Sequence, residues 1–186
     1  VDATAHAEVI CGGYQVLKGP DGNLRYLYEH AAEKNKSVEQ RLKHPYHSFF
    51  ASNFMIKRDI FLQHPFDSRF YKYGYEDVLL GRQLNEAGIT ITHINAPIGF
   101  LEYESNAYFL KKTEEAMETL YQFRDSLQGY SSILRVANRL QGNLLGAIFR
   151  KIFKWKRNAW EANLISRQPS LLIFKLYKLG YYMCCF

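Results

Sequence analysis

FFASNFMIKR (residues 49–58), FDSRF (66–70) and YGYEDVLLG (73–81) follow one another closely, and their reading decides the fold. Residues 49–56 are aromatic and apolar, as a buried strand requires, and residues 57–63 read as a short helix after it. Ser52 and Asn53 interrupt the apolar run, which costs stability unless each polar group is hydrogen-bonded. Residues 65–75 form an aromatic loop. Residues 76–87 then read as a helix with Leu80, Leu84 and Ala87 on one face, stopped by Gly88.

Upstream, residues 8–16 (EVICGGYQV) read as a strand whose two central glycines leave room for a close approach. The Pro-Asp-Gly chemistry of residues 18–23 makes a turn. Residues 24–42 read as an exposed helix or ordered insertion. Downstream, residues 89–94 alternate like a strand that Pro97 ends, and residues 106–127 form a long helix with the stripe Phe109, Ala116, Leu120, Phe123 and Leu127. Its Glu114–Glu118 repulsion is offset by the Lys111–Glu115 pair. Strand, helix, strand, helix argues for an α/β domain over residues 1–128. Residues 129–186 change character: Ile133–Ala137–Leu140, Leu144–Ile148–Ile152 and Leu172–Leu176–Leu179 are helical stripes with Arg and Lys between them, and Pro169 opens the last helix.

The 186 residues, 47% apolar and 16% aromatic, suffice for one real core and exclude a disordered chain. Cys11, Cys184 and Cys185 make no CxxC pair, which excludes a zinc ribbon or disulfide scaffold and suits a reducing compartment. No apolar run reaches the roughly 18 to 20 residues of a membrane span. The net charge of +6 is uneven. Residues 1–129 carry 14 Lys and Arg against 17 Asp and Glu, whereas residues 130–186 carry 10 against Glu161 alone. A basic helical tail on a slightly acidic body predicts an anionic surface as partner. The body's negative balance argues against nucleic acid. In residues 150–157 (RKIFKWKR) basic and aromatic residues alternate, as on an interfacial membrane helix or on a solvated face packed against the domain.

The best candidate for chemistry is Glu76-Asp77 at the mouth of a helix, behind Tyr73-Gly74-Tyr75. Adjacent carboxylates raise one another's pKa, which suits a general base working near neutral pH. Gly74 permits a sharp bend, and Tyr71, Tyr73 and Tyr75 offer flat faces for a sugar ring. Acids in a first helical turn are also favoured by the macrodipole alone. Ser52 and Asn53 either bind substrate hydroxyls or fix a neighbouring loop. His93 reads as a satisfied core histidine, residues 44–47 as a surface loop, and Glu102 and Glu104 as solvated acids.

The three quoted stretches, in this order and spacing, resemble the acceptor-side half of family 2 glycosyltransferases of the GT-A fold. The resemblance covers roughly residues 8–127. It implies a partial GT-A-like mixed sheet flanked by helices and followed by the basic all-helical region. It implies transfer of a sugar from a nucleotide-sugar donor to a glycan or lipid-linked acceptor hydroxyl, with inversion, in bacterial surface glycan synthesis. By position Asp77 would be the base, Glu76 would bind acceptor hydroxyls or orient the loop, Gly74 and Tyr75 would shape the site, and Asn53 with Ser52 would line the cleft. The family's Asp-x-Asp motif, which holds a divalent Mn or Mg and the donor diphosphate, lies upstream of this region, and Asp2 alone does not supply it. The chain, which begins at Val1, thus reads as a fragment inactive on its own. Gly99 and Phe100 stand where metal-dependent relatives carry a His ligand, so no metal ligands are identifiable. The expected location is cytoplasmic, peripheral on the inner face of the membrane through residues 130–186. The alternative is a non-catalytic membrane-associated or glycan-binding module.

Overall fold

The structure, a computed structural model, describes residues 6–184; Asp2 and Cys185 lie outside them. The chain divides into two compact units, the first made of residues 1–18, 29–71 and 75–101, the second of residues 19–28, 72–74 and 102–186. The first is α/β and the second is helical. The 102–128 stretch therefore groups with the basic helices rather than with the sheet. The physical reason is its stripe: Phe109, Leu110, Ala116, Met117 and Leu120 are buried in a core shared with later helices.

In the first unit, residues 8–16 form two strands rather than one, β1 (Val9–Cys11) and β2 (Tyr14–Val16). The glycines between them are the cause. A Cβ on Gly12 would lie 2.5 Å from Asn53 Nδ2, and Gly13 takes a φ of 76° against the Arg41 guanidinium. The break sends β1 and β2 into different sheets. β1 is central in the first, antiparallel to β3 (Phe54–Ile56) with Val9 opposite Ile56, and parallel to β4 (Ile91–His93) with Cys11 opposite His93. β2 pairs in parallel with β5 (Ile98–Phe100), a strand that follows Pro97 directly.

Residues 24–42 are not one exposed helix. They make α1 (Leu24–Ala32), a 3₁₀ turn at Glu33–Asn35, and α2 (Val38–Lys43), capped by the Ser37 side chain. α2 buries Arg41, which is 2% exposed. All five of its N–H donors are used: Nε to Lys36 O, Nη1 to Cys11 O and His93 Nδ1, and Nη2 to Gly12 O and Ile94 O. His93 in turn donates from Nε2 to Pro45 O at 2.9 Å, so its neutral tautomer is set by both neighbours. Burial first, then the Arg41 charge, holds the His93 pKa below its ordinary value, against the pull of the Pro45 carbonyl. His93 is thus the satisfied core histidine its strand position suggests.

α3 (Arg58–Gln63) and α4 (Glu76–Glu86) cover the sheet. Their Ile60, Leu80 and Leu84 join Val9, Cys11, Phe49 and Ile91 in the core. Gly81 is required there, since a Cβ would sit 2.5 Å from Tyr46 O.

The second unit contains α5 (Asn106–Gln122), α6 (Ser132–Leu140), α7 (Leu144–Ile165) and α8 (Leu171–Cys184). Ser105, Ser131 and Asn143 each accept a hydrogen bond from the first turn they cap. α7 and α8 touch closely because Gly180 faces Phe153, whose ring a Cβ would strike. The α5 acids find partners on other elements: the Tyr177 hydroxyl of α8 lies 2.5 Å from Glu114 and 2.7 Å from Glu161 of α7, and Lys72 in the loop before α4 pairs with Glu118 at 2.6 Å. Glu104 is not simply solvated either, since Arg25 and Lys112 both pair with its Oε1. No helix among the described residues is long and apolar enough to cross a membrane.

Candidate active site

The chain enters α4 through two successive left-handed residues, Gly74 at φ 99° and Tyr75 at φ 71°. Among the described residues Tyr75 is the one non-glycine with positive φ, a conformation that costs on the order of 1–3 kcal/mol and concentrates at functional positions. Tyr75 supplies no side-chain cap to the helix. The bend that Gly74 makes possible is therefore extended by a strained residue, and together they set where the next two side chains point.

Asp77 is largely enclosed. Its Oδ1 accepts from Val78 N at 2.8 Å, and its carboxylate also accepts from the Ala51 backbone N–H. Loss of hydration pushes its pKa up from 3.8 to about 6; the neighbouring Glu76 charge adds to the rise, and the backbone N–H groups oppose it. The result is a carboxylate poised to take a proton close to neutral pH. Glu76 is half-buried, and its Oε2 is enclosed without a hydrogen-bond partner. Gln83 Oε1 is in the same condition. Residues 76 and 83 are seven apart, so both orphaned acceptors belong to one face of α4. Sequence reading passed over Gln83, although its place two turns from Glu76 is a signal the sequence contains. Buried acceptors without donors are rare in folded proteins, and a ligand's hydroxyls would complete them.

Ser52 and Asn53 do not interrupt a strand: β3 begins at Phe54, and residues 51–53 form the turn before it. Asn53 brackets two loops, its Nδ2 donating to Gly13 O at 2.7 Å and to Ala96 O at 2.9 Å, while its backbone oxygen accepts from Gly12 N. Of the two roles left open for this residue, loop fixing is occupied; the Oδ1 acceptor remains. Ser52 is exposed beside it. The turn thereby ties Asp77, through Ala51, to both loops that Asn53 holds. Of the three tyrosines, Tyr71 is exposed, Tyr75 is half-buried, and Tyr73 lies under Lys112 Nζ at 4.3 Å. Asp67 and Arg69 pair locally.

No three His, Cys, Asp or Glu converge among the described residues, and both His93 nitrogens are engaged. Cys11 is a buried, free thiol. Compared with protein-family models, with curated proteins and with solved structures, the chain finds no match in any of the three.

Proposed function

We propose that this chain is the acceptor-side part of an inverting family 2 glycosyltransferase, its sheet unit a portion of a GT-A fold and Asp77 its general base. The observation that carries the reading is the enclosed Asp77 carboxylate at the head of α4, beside a Glu76 oxygen that lacks a donor. In the reaction, Asp77 takes the proton of an acceptor hydroxyl as that oxygen bonds to the anomeric carbon. The bond from that carbon to the nucleoside diphosphate breaks on the opposite face, which inverts the centre. Glu76, with Gln83, accepts from other acceptor hydroxyls and fixes the attacking one in line. The acceptor is a glycan or a lipid-linked glycan, and the enzyme works peripherally at the inner face of the cell membrane. Donor and divalent metal belong to the half that the resemblance places upstream, and no step here passes through a metal.

The test is sugar transfer by a protein carrying this chain together with its donor-binding half, over a panel of nucleotide sugars. Asp77→Asn is expected to lower turnover by about 10²- to 10⁴-fold. Wild-type kcat is expected to fall as pH drops below about 6, where Asp77 takes up its proton. Unchanged turnover in the mutant would remove Asp77 as base and leave the acids as helix-terminal residues of a binding module.

A further inference from the structure

Helix α7 has two apolar faces, and only one of them is used. Gly146, Phe153 and Leu164 are buried. On another side Leu145, Ile148, Ile152, Trp155 and Ala159 recur at steps of three and four, which places them in one stripe along the helix. That stripe stands in water: Leu145 is 68% exposed, Ile148 45%, Ile152 42% and Trp155 75%. Leu144, at the helix start, is exposed as well. Helical geometry sets Lys151 along one border of the stripe and Lys156 along the other, with Lys154 further round the helix. Lys156 Nζ lies 3.9 Å over the Trp155 ring. The one acid of α7, Glu161, is engaged by Arg157 and by the Tyr177 hydroxyl.

We propose that this stripe of α7 is the surface by which the protein docks, lying flat, on an anionic lipid membrane. The borders decide between possible occupants. A second copy paired along a stripe of three-and-four spacing needs acids to meet its flanking bases, and here Lys would face Lys. An anionic headgroup layer meets the lysines of both borders at once. An indole beside ammonium groups, above aliphatic side chains, is the arrangement that settles at the boundary between headgroups and acyl chains. The helix is too polar to go deeper, in keeping with the absence of any membrane-crossing helix among the described residues. This narrows the expected membrane contact of residues 130–186 to one face of one helix. It gives the peripheral location proposed above a physical basis and does not depend on the transfer chemistry.

The experiment is vesicle binding by the full chain, read by co-sedimentation and by Trp emission, on phosphatidylcholine alone and on phosphatidylcholine with phosphatidylglycerol. Binding to the anionic vesicles with a blue shift, weakened by salt, is expected. Reversing Lys151, Lys154 and Lys156 to Glu is expected to weaken binding by at least about a hundredfold. Ile152→Asp, which leaves the lysines in place and puts an acid in the apolar stripe, is expected to abolish it. Trp155→Phe should keep most of the binding and lose the shift, which separates Trp155 from Trp160. Equal binding to neutral vesicles, no binding at all, or binding indifferent to both the Lys and Ile152 changes would overturn the proposal. So would a dimer that Ile152→Asp dissolves in a protein that ignores vesicles. No donor or acceptor is present in the assay, so its outcome and that of the transfer assay are read separately.

Discussion

Arg41 and the Glu76-Asp77 pair are both charged groups withdrawn from water within the α/β unit, and they have been treated in opposite ways. Arg41 has a partner for each of its five donors, four of them backbone carbonyls from three separate chain segments. The carboxylates are left short: Glu76 Oε2 has no donor, and Asp77 receives backbone N–H groups too few to offset its lost hydration. A buried charge that is fully bonded holds architecture together, while one left under-bonded keeps capacity for something else. The difference separates scaffold from site without any relative to consult.

The sharpest way to break this comparison is Arg41→Met. It removes donors from four carbonyls, of which Cys11 O keeps Ile94 N, and from His93 Nδ1, and a loss of about 3–5 kcal/mol in urea unfolding is expected. Arg41→Lys, with three donors that cannot span the same carbonyls, should fall between. A loss below about 1 kcal/mol in the Met variant would mean that Arg41 is not the clamp its geometry describes.

Asp77→Asn is expected to move the other way. Above pH 6 Asp77 is ionised in the folded and the unfolded chain, and the folded state alone carries the penalty of burial. As pH falls from about 6 to 3.8, only the folded state takes up a proton and the penalty is relieved. The mutant should therefore be more stable by about 1–3 kcal/mol near pH 8, with the advantage gone below pH 4. A destabilised mutant at pH 8 would make Asp77 a helix cap instead. A smaller effect tests the entry to the helix. Tyr75→Gly and Tyr75→Val both remove the ring, so their difference isolates the backbone, and the Val variant should be less stable by about 1–2 kcal/mol.

The start of α4 and its acid pair were legible because each signal was local: Gly74 before it, an apolar face within it, Gly88 after it. Residues 49–53 were not, since periodicity does not separate a buried aromatic turn from a strand. Arg41 left no trace at all. Its carbonyl partners belong to residues 11, 12, 36 and 94, and most are far from it in sequence, so a base in a charged stretch read as solvated. The strained φ of Tyr75 was equally hidden, because its neighbour Gly74 sufficed to explain a bend. The helix read over 106–127 was found as α5 over 106–122, yet its grouping differs: a stripe announces that a face is buried and says nothing of which elements bury it.

The N–H of Ala51 does more than satisfy a carboxylate. It lies in the turn that Asn53 fastens to the loops at Gly13 and Ala96, and by donating to Asp77 it lowers that group's proton affinity. Acid strength and turn shape are in consequence a single inherited variable. An insertion at residues 51–53 would withdraw the N–H and leave Asp77 protonated at a higher pH. On the proposed transferase reading, reshaping the acceptor cleft through this turn would shift the working pH as well, whereas changes at exposed Tyr71 would leave proton transfer untouched.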